Sequence, residues 1–166
     1  MKLIGVDLGI HKIHCAVFTN GAVGMTLYDV PRHFSESQTR SGQLWEISRF
    51  LLDTAELHDA DSVWIEETII GNNRKYSLQL AQTMGACLAV LALVENKTAV
   101  HVVDNTVWKK VIVGNGHASK DEIKSYISDT HPVYAAICED DQDAYDAACI
   151  GLYGLTILDR ASSLSL

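Results

Sequence analysis

Three short apolar runs fill the first thirty residues, and none has the length or period of a helix. Lys2 to Asp7 alternates as a strand until Gly9 breaks it, and Ile13 to Phe18 alternates again. Asn20-Gly21 is a strong hairpin-turn signal, after which Ala22 to Tyr28 reads as a third strand. The N-terminal part is therefore expected to be an antiparallel meander of three strands.

The remainder alternates helix and strand. Pro31 to Arg40 is polar and loop-like. Ser41 to His58 has helical period, with Leu44, Ile47, Leu51 and Ala55 on one face. Asp61 to Glu66 is a short apolar strand ending in an acid, and Gly71-Asn72-Asn73 is a loop. Tyr76 to Glu95 is a long helix, apolar nearly all round, of the kind that is buried on several sides or forms a subunit interface. Ala99 to Val103 is a fifth strand. Asn105 or Thr106 caps a helix into Val111, which Gly114-Asn115-Gly116 stops. Ser119 caps the next, with Glu122 in the capping-box position and His131-Pro132 at its end. Asp143 to about Leu158 is a last helix with an alanine-rich face. This order predicts an α/β fold with a mixed five-stranded sheet, three antiparallel strands followed by two parallel ones, flanked by helices. A length of 166 residues suits one domain over 1–166.

Composition narrows the functional classes. The N-terminus meets Asp7 too early for a secretory signal, and the apolar stretch Gly85 to Val94 is too short to span a bilayer, so an intracellular, cytoplasmic, soluble protein with no membrane partner is expected. Cys15, Cys87, Cys138 and Cys149 are scattered without a C-x-x-C pair and read as reduced core cysteines. His11 and His14 lie close together, but nothing supplies further ligands at zinc-like spacing. A formal charge of −8 excludes a protein that coats nucleic acid by bulk positive charge, though not an enzyme that grips phosphates through a few lysines and metal ions.

Three acidic features carry candidate chemistry. Asp7 ends the first strand beside a glycine turn, where sheets commonly carry sites; a turn acid bonded to local backbone is the plain alternative. Glu66-Glu67 follows the apolar run Val63-Trp64-Ile65, and in extended chain the two carboxylates point to opposite sides, so that one faces a site and the other solvent. Asp143 and Asp146, three apart, share a helix face within Asp140-Asp141-Gln142-Asp143-Ala144-Tyr145-Asp146, where an acidic helix start is also satisfied by the dipole alone. Converging over one sheet edge, such carboxylates would repel by roughly 4 kcal/mol per pair at an effective dielectric near 20, and so need a cation. Oxygen-only ligands select Mg²⁺ or Mn²⁺, and two such ions suit phosphoryl displacement. Lys109-Lys110 precedes the Gly114-Asn115-Gly116 turn, and Lys120 and Lys124 follow it. With Asn115 and the exposed N–H groups of that turn they make a candidate phosphate grip, flanked by Arg74-Lys75 on the loop after Glu66. A connector with solvated lysines is the alternative.

Taken together, these segments resemble the RuvC family of Holliday-junction resolvases, from Lys2 to about Leu155. Ile4-Gly5-Val6-Asp7-Leu8-Gly9 resembles the family's first strand with its leading aspartate, and Trp64-Ile65-Glu66 the strand bearing its glutamate. Gln79 to Gly85 is similar to the start of its long central helix, which serves the dimer interface. Trp108 to Lys120 resembles the segment V-K-x-x-V-x-G-x-G-x-A-x-K, and Asp143-Ala144-Tyr145-Asp146-Ala147 the closing D-x-x-D-A. The resemblance implies an RNase H-like fold and a homodimer. It implies two Mg²⁺ ions on Asp7, Glu66, Asp143 and Asp146, with Mn²⁺ able to substitute, and DNA-contacting, catalysis-assisting roles for Lys109 and Lys120. It also implies paired nicks in four-way DNA junctions that leave 5′-phosphate and 3′-hydroxyl ends, with no nucleotide cofactor. Leu8 stands where the family usually has proline, and Ile69 and Ile70 where it often has an aromatic wedge. These departures and the acidic balance suit a phage-type or otherwise specialised member. Three alternatives stay open on the sequence: an RNase H-like nuclease acting on other branched DNA or structured RNA, a non-catalytic binder of DNA structure, and a fragment of an actin-like ATPase, whose first phosphate loop Val6-Asp7-Leu8-Gly9 is similar to.

Overall fold

The computed structural model describes residues 1–21, 24–33, 39–68, 71, 73–93 and 98–164, with the backbone alone at 20, 21, 24–33 and 93. Five strands form one sheet in the order β3-β2-β1-β4-β5: β1 (Lys2–Leu8), β2 (Lys12–Gly21), β3 (Gly24–His33), β4 (Ser62–Glu66) and β5 (Ala99–Val103). The first three are antiparallel; β4 runs parallel to β1, and β5 parallel to β4. The expected mixed sheet is therefore present.

Among the described residues six helices cover it: α1 (Arg40–His58), α2 (Arg74–Leu93), α3 (Asn105–Ile112), α4 (Lys120–Thr130), α5 (Pro132–Cys138) and α6 (Gln142–Ser163). Strand alternation sorts the core into two layers. Ile4, Val6, Ile13, Cys15, Val17, Val63 and Ile65 face α1 and α2, where they meet Ile47, Leu51, Met84, Cys87 and Leu91. Leu3, Ala16, Phe18 and Trp64 face the other way, against α6 and its flanking helices, with Trp108, Ile123, Ile127 and Ala147. All four cysteines are free and buried, as expected of core thiols. No helix among the described residues is long and apolar enough to cross a membrane.

Several boundaries differ from the sequence reading. The β2–β3 ladder continues through Asn20–Met25 to Gly21–Gly24, so Asn20-Gly21 extends the strand rather than turning it. Pro31, Arg32 and His33 belong to β3 and not to a loop; β3 is the outermost strand, where a proline without an N–H is tolerated. Arg74 and Lys75 are the first residues of α2, because Asn73 Oδ1 accepts the Tyr76 N–H (3.1 Å) and starts the helix ahead of its apolar periodicity. Asp104, rather than Asn105 or Thr106, caps α3, its carboxylate accepting the N–H groups of Thr106 and Val107. The capping box of Ser119 and Glu122 forms as expected. His131-Pro132 ends α4, but Pro132 also opens α5, since proline fits a first helical turn. Ala22, Ile69, Ile70, Asn72 and Glu95 lie outside the described residues.

Candidate active site

Val6 lies opposite Ile65 in the parallel ladder, so Asp7 and Glu66 leave the sheet side by side at the carboxyl ends of β1 and β4. Leu3 and Trp64 belong to the α6 layer, and the period of two carries Asp7 and Glu66 onto the same face. On that face α6 comes almost to backbone contact with β1. A Cβ on Gly5 would lie 2.3 Å from the Ala147 carbonyl oxygen and 2.4 Å from the Gly151 nitrogen, and one on Gly151 only 2.2 Å from the Phe18 ring. Asp143 and Asp146 lie within the turn before Ala147, and this close approach brings them over the strand ends.

The electrostatics follow from that convergence. Burial holds the Asp7 carboxyl well above the usual carboxylate range, and Asp146, Asp143 and Glu66 push it higher still, with Lys120 opposing. Asp146 is pushed up to about 6, first by burial and then by Glu66, against the Gln142 hydrogen bond, Lys109 and Lys120. The four acids and two lysines singled out by the sequence thus act on one another across five separate elements. Glu67, next to Glu66, is exposed and lines an open cleft of about 210 Å³ together with Asp7, Glu66, Thr68, Tyr76 and Leu80.

Two contacts of Glu66 were not foreseen from the sequence. Asn105 Nδ2 donates to its Oε1 (2.5 Å) and the Trp108 indole N–H to its Oε2 (3.0 Å). Both donors sit on α3, one turn apart, and Trp108 is fully buried. The available signal was the indole itself, whose N–H needs an acceptor once buried.

Next to the four acids lies a second polar group. Asp141 caps α6 by accepting the Asp143 N–H, and Lys12 Nζ lies 2.7 Å from Asp141 and 3.2 Å from Asp143. His14, buried and paired with Asp7 across the β1–β2 ladder, has its Nε2 3.5 Å from Asp141. His14, Asp141 and Asp143 place ligand-type atoms within 4.8 Å of one another, a histidine contribution that sequence spacing gave no reason to expect. Asp140 pairs instead with Lys124 at 2.7 Å.

The remaining expected cations lie on α2, α3 and α4. Lys110 Nζ donates to the Gly114 carbonyl (3.0 Å), and Asn115 Oδ1 accepts the His117 N–H (3.1 Å), so both brace the turn in which Gly114 takes a left-handed φ of 88°. Arg74 and Lys75 are exposed at the start of α2, the helix whose Tyr76 lines the cleft.

Comparison with known proteins points to one family. Residues 3–152 match the model of the family described as crossover junction endodeoxyribonuclease RuvC. The RuvC protein of Ehrlichia chaffeensis is 28% identical over 153 residues, covering 92% of this chain and 94% of that protein. That of Wolbachia pipientis is 30% identical over 125 residues, covering 74% of this chain and 76% of the relative. In fold, the chain resembles Thermus thermophilus RuvC with a TM-score of 0.77 at 18% identity, over 97% of each chain. It resembles the same protein solved with a Holliday junction substrate with a TM-score of 0.77 at 21% identity, over 92% of each chain. With residues 3–152 matched to that family's model, this chain belongs to the RuvC family of crossover junction endodeoxyribonucleases.

Proposed function

We propose that this chain is a metal-dependent endonuclease that resolves four-way DNA junctions by paired, symmetric nicks, acting as one nuclease domain in a homodimer. The observation that carries this reading is the meeting of Asp7, Glu66, Asp143 and Asp146 in a buried setting, where burial first and their mutual repulsion second raise the Asp7 and Asp146 carboxyls. Lys109 and Lys120 offset that charge only in part. An all-oxygen donor set with surplus negative charge fits hard divalent cations, two Mg²⁺ with Mn²⁺ as a substitute. Bound there, such ions supply the Lewis acidity that makes water nucleophilic near neutral pH and stabilises charge on a departing oxygen.

The chain's own residues do the rest. Asp7, Glu66, Asp143 and Asp146 hold the cations. Lys109 and Lys120 meet the phosphate at which cleavage leaves 5′-phosphate and 3′-hydroxyl ends. Arg74 and Lys75 at the start of α2, and Lys110, Asn115 and Lys124 along the α3–α4 segment, contact the backbone of the junction arms. A C2 dimer supplies the second nick. Leu78, Ala81, Gly85 and Ala89 make an exposed, mostly small-residue stripe along α2, and a Cβ on Gly85 would meet nothing within 4 Å, which leaves room for a second copy.

The test is a synthetic immobile four-way junction incubated with the purified chain and Mg²⁺, beside flap, linear duplex and structured RNA substrates. Symmetric nicking of the junction in preference to the others is expected, abolished by Asp7→Asn with junction binding kept. Cleavage of flap or RNA in preference to the junction would move the substrate assignment. Binding without any cleavage would remove the enzyme assignment.

A further inference from the structure

Glu66 reaches the centre from a strand end, on a side chain with three free torsions. Its ordering is costly unless something holds it. In this structure each carboxylate oxygen has its own donor, Asn105 Nδ2 on one and the Trp108 indole N–H on the other. The two donors come from one short helix, at i and i+3, and so form a fork aimed at one carboxylate. The fork is rigid at its base. The Trp108 ring is fully buried in the layer beneath α6, and Asp104 anchors the first turn of α3 by accepting the Thr106 and Val107 N–H groups. Lys109, the next residue, acts on Asp146 and lies with its ammonium 5.4 Å from the Trp108 ring centre.

We propose that Asn105 and Trp108 are positioning residues for Glu66. They fix its carboxylate in the orientation that receives a divalent cation, and they tie that orientation to α3, the helix that also carries Lys109. Each oxygen gives one lone pair to its donor and keeps another for the cation, so the fork orients without blocking. Neutral donors are suited to this task, since a lysine or arginine in their place would compete with the cation for the same charge. This inference rests on the proposed role of Glu66 as a cation ligand.

The experiment titrates Mn²⁺ into the free protein and follows the thermal midpoint, with the Mg²⁺ concentration for half-maximal junction cleavage as a second readout. Trp108→Phe keeps the ring and removes the donor; Asn105→Ala removes the other. Each is expected to raise the half-saturating metal concentration roughly 10-fold, as loss of a ligand's hydrogen-bond partner does at metal sites, with junction binding in metal-free buffer unchanged. The double variant is expected to exceed either single one. In a Glu66→Gln background, Trp108→Phe is expected to add nothing further. Wild-type metal affinity in both single variants, or a full-sized Trp108→Phe effect when Glu66 is already replaced, would overturn the proposal. Should Trp108→Phe fail to fold, Asn105→Ala decides alone. If Glu66→Gln itself binds Mn²⁺ like the wild type, the ligand role of Glu66 falls, and that result is separable from failure of the fork.

Discussion

The Asp146 carboxyl, pushed up to about 6 by burial and by Glu66, and the Asp7 carboxyl, raised well above its ordinary value by burial and by the acids of α6, have a thermodynamic counterpart. Both ionise near 4 in the unfolded chain, so between that pH and about 6 the native protein binds more protons than the unfolded one. Stability of the metal-free protein therefore falls as pH rises through that window. Urea unfolding in EDTA should give a higher midpoint near pH 5 than at pH 7.5, with Asp146 contributing at most about 3 kcal/mol. Mg²⁺ added at pH 7.5 should recover the loss. By the same reasoning, Asp7→Asn should raise the melting temperature without metal and shrink the gain from Mg²⁺; equal Mg²⁺ stabilisation of both proteins would count against the assigned ligand. Lys109, proposed to meet phosphate, gives a different signature. Lys109→Ala should weaken junction binding and lower the slope of log affinity against log salt by about 1, read by titrations at several salt concentrations.

The contact between α6 and β1 is set by what is missing from Gly5, Gly151 and Gly154. A methyl at Gly151 would run into the Phe18 ring at 2.2 Å, and one at Gly154 into Leu3 and Trp64 at 2.8 Å. Gly151→Ala should destabilise the fold by about 1–3 kcal/mol by urea titration and reduce cleavage more than junction binding, because it lifts two acids off the sheet. This dependence explains what the sequence made legible. Short apolar runs announced β1, β2, β4 and β5, with β1 and β4 buried on both faces, and Asp7, Glu66, Asp143 and Asp146 stood out as acids at the edges of apolar elements. Resemblance to a family then grouped them. What remained hidden depended on partners remote in sequence. Asn105 and Trp108 became neighbours of Glu66 only through the placement of β5 beside β4 and the entry of α3 from it. Lys12 and His14 reached Asp141 only because β2 and the start of α6 share one face of the sheet. The extra strand residues Pro31 to His33 read as loop because a proline usually argues against a strand, and only the outermost position of β3 removes that objection.

Over the whole molecule, a formal charge of −8 leaves DNA few places to lie. The basic side chains proposed to meet it cluster on the start of α2 and on the α3–α4 segment, the two regions bordering the acidic centre. The opposite arrangement holds along the outer stripe of α2, where small and apolar side chains predominate. Gly85→Arg should leave the protomer folded, since among the described residues a Cβ at that position meets nothing within 4 Å, while shifting the species in sedimentation or light scattering from dimer to monomer and uncoupling the two nicks of a junction. A dimer that persists in Gly85→Arg would move the interface elsewhere. The near-contact of α6 with β1 also bears on how such a protein fails. Because Asp7, Asp143 and Asp146 are held by the central strand and by the helix pressed onto it, those three acids stay together until β1 and α6 separate, whereas Glu66 also depends on α3 for its orientation. Amide protons of β1 and of the first turns of α6 should exchange with solvent together and only by opening of the entire domain, while fraying of α3 alone would blunt the site before the domain opens.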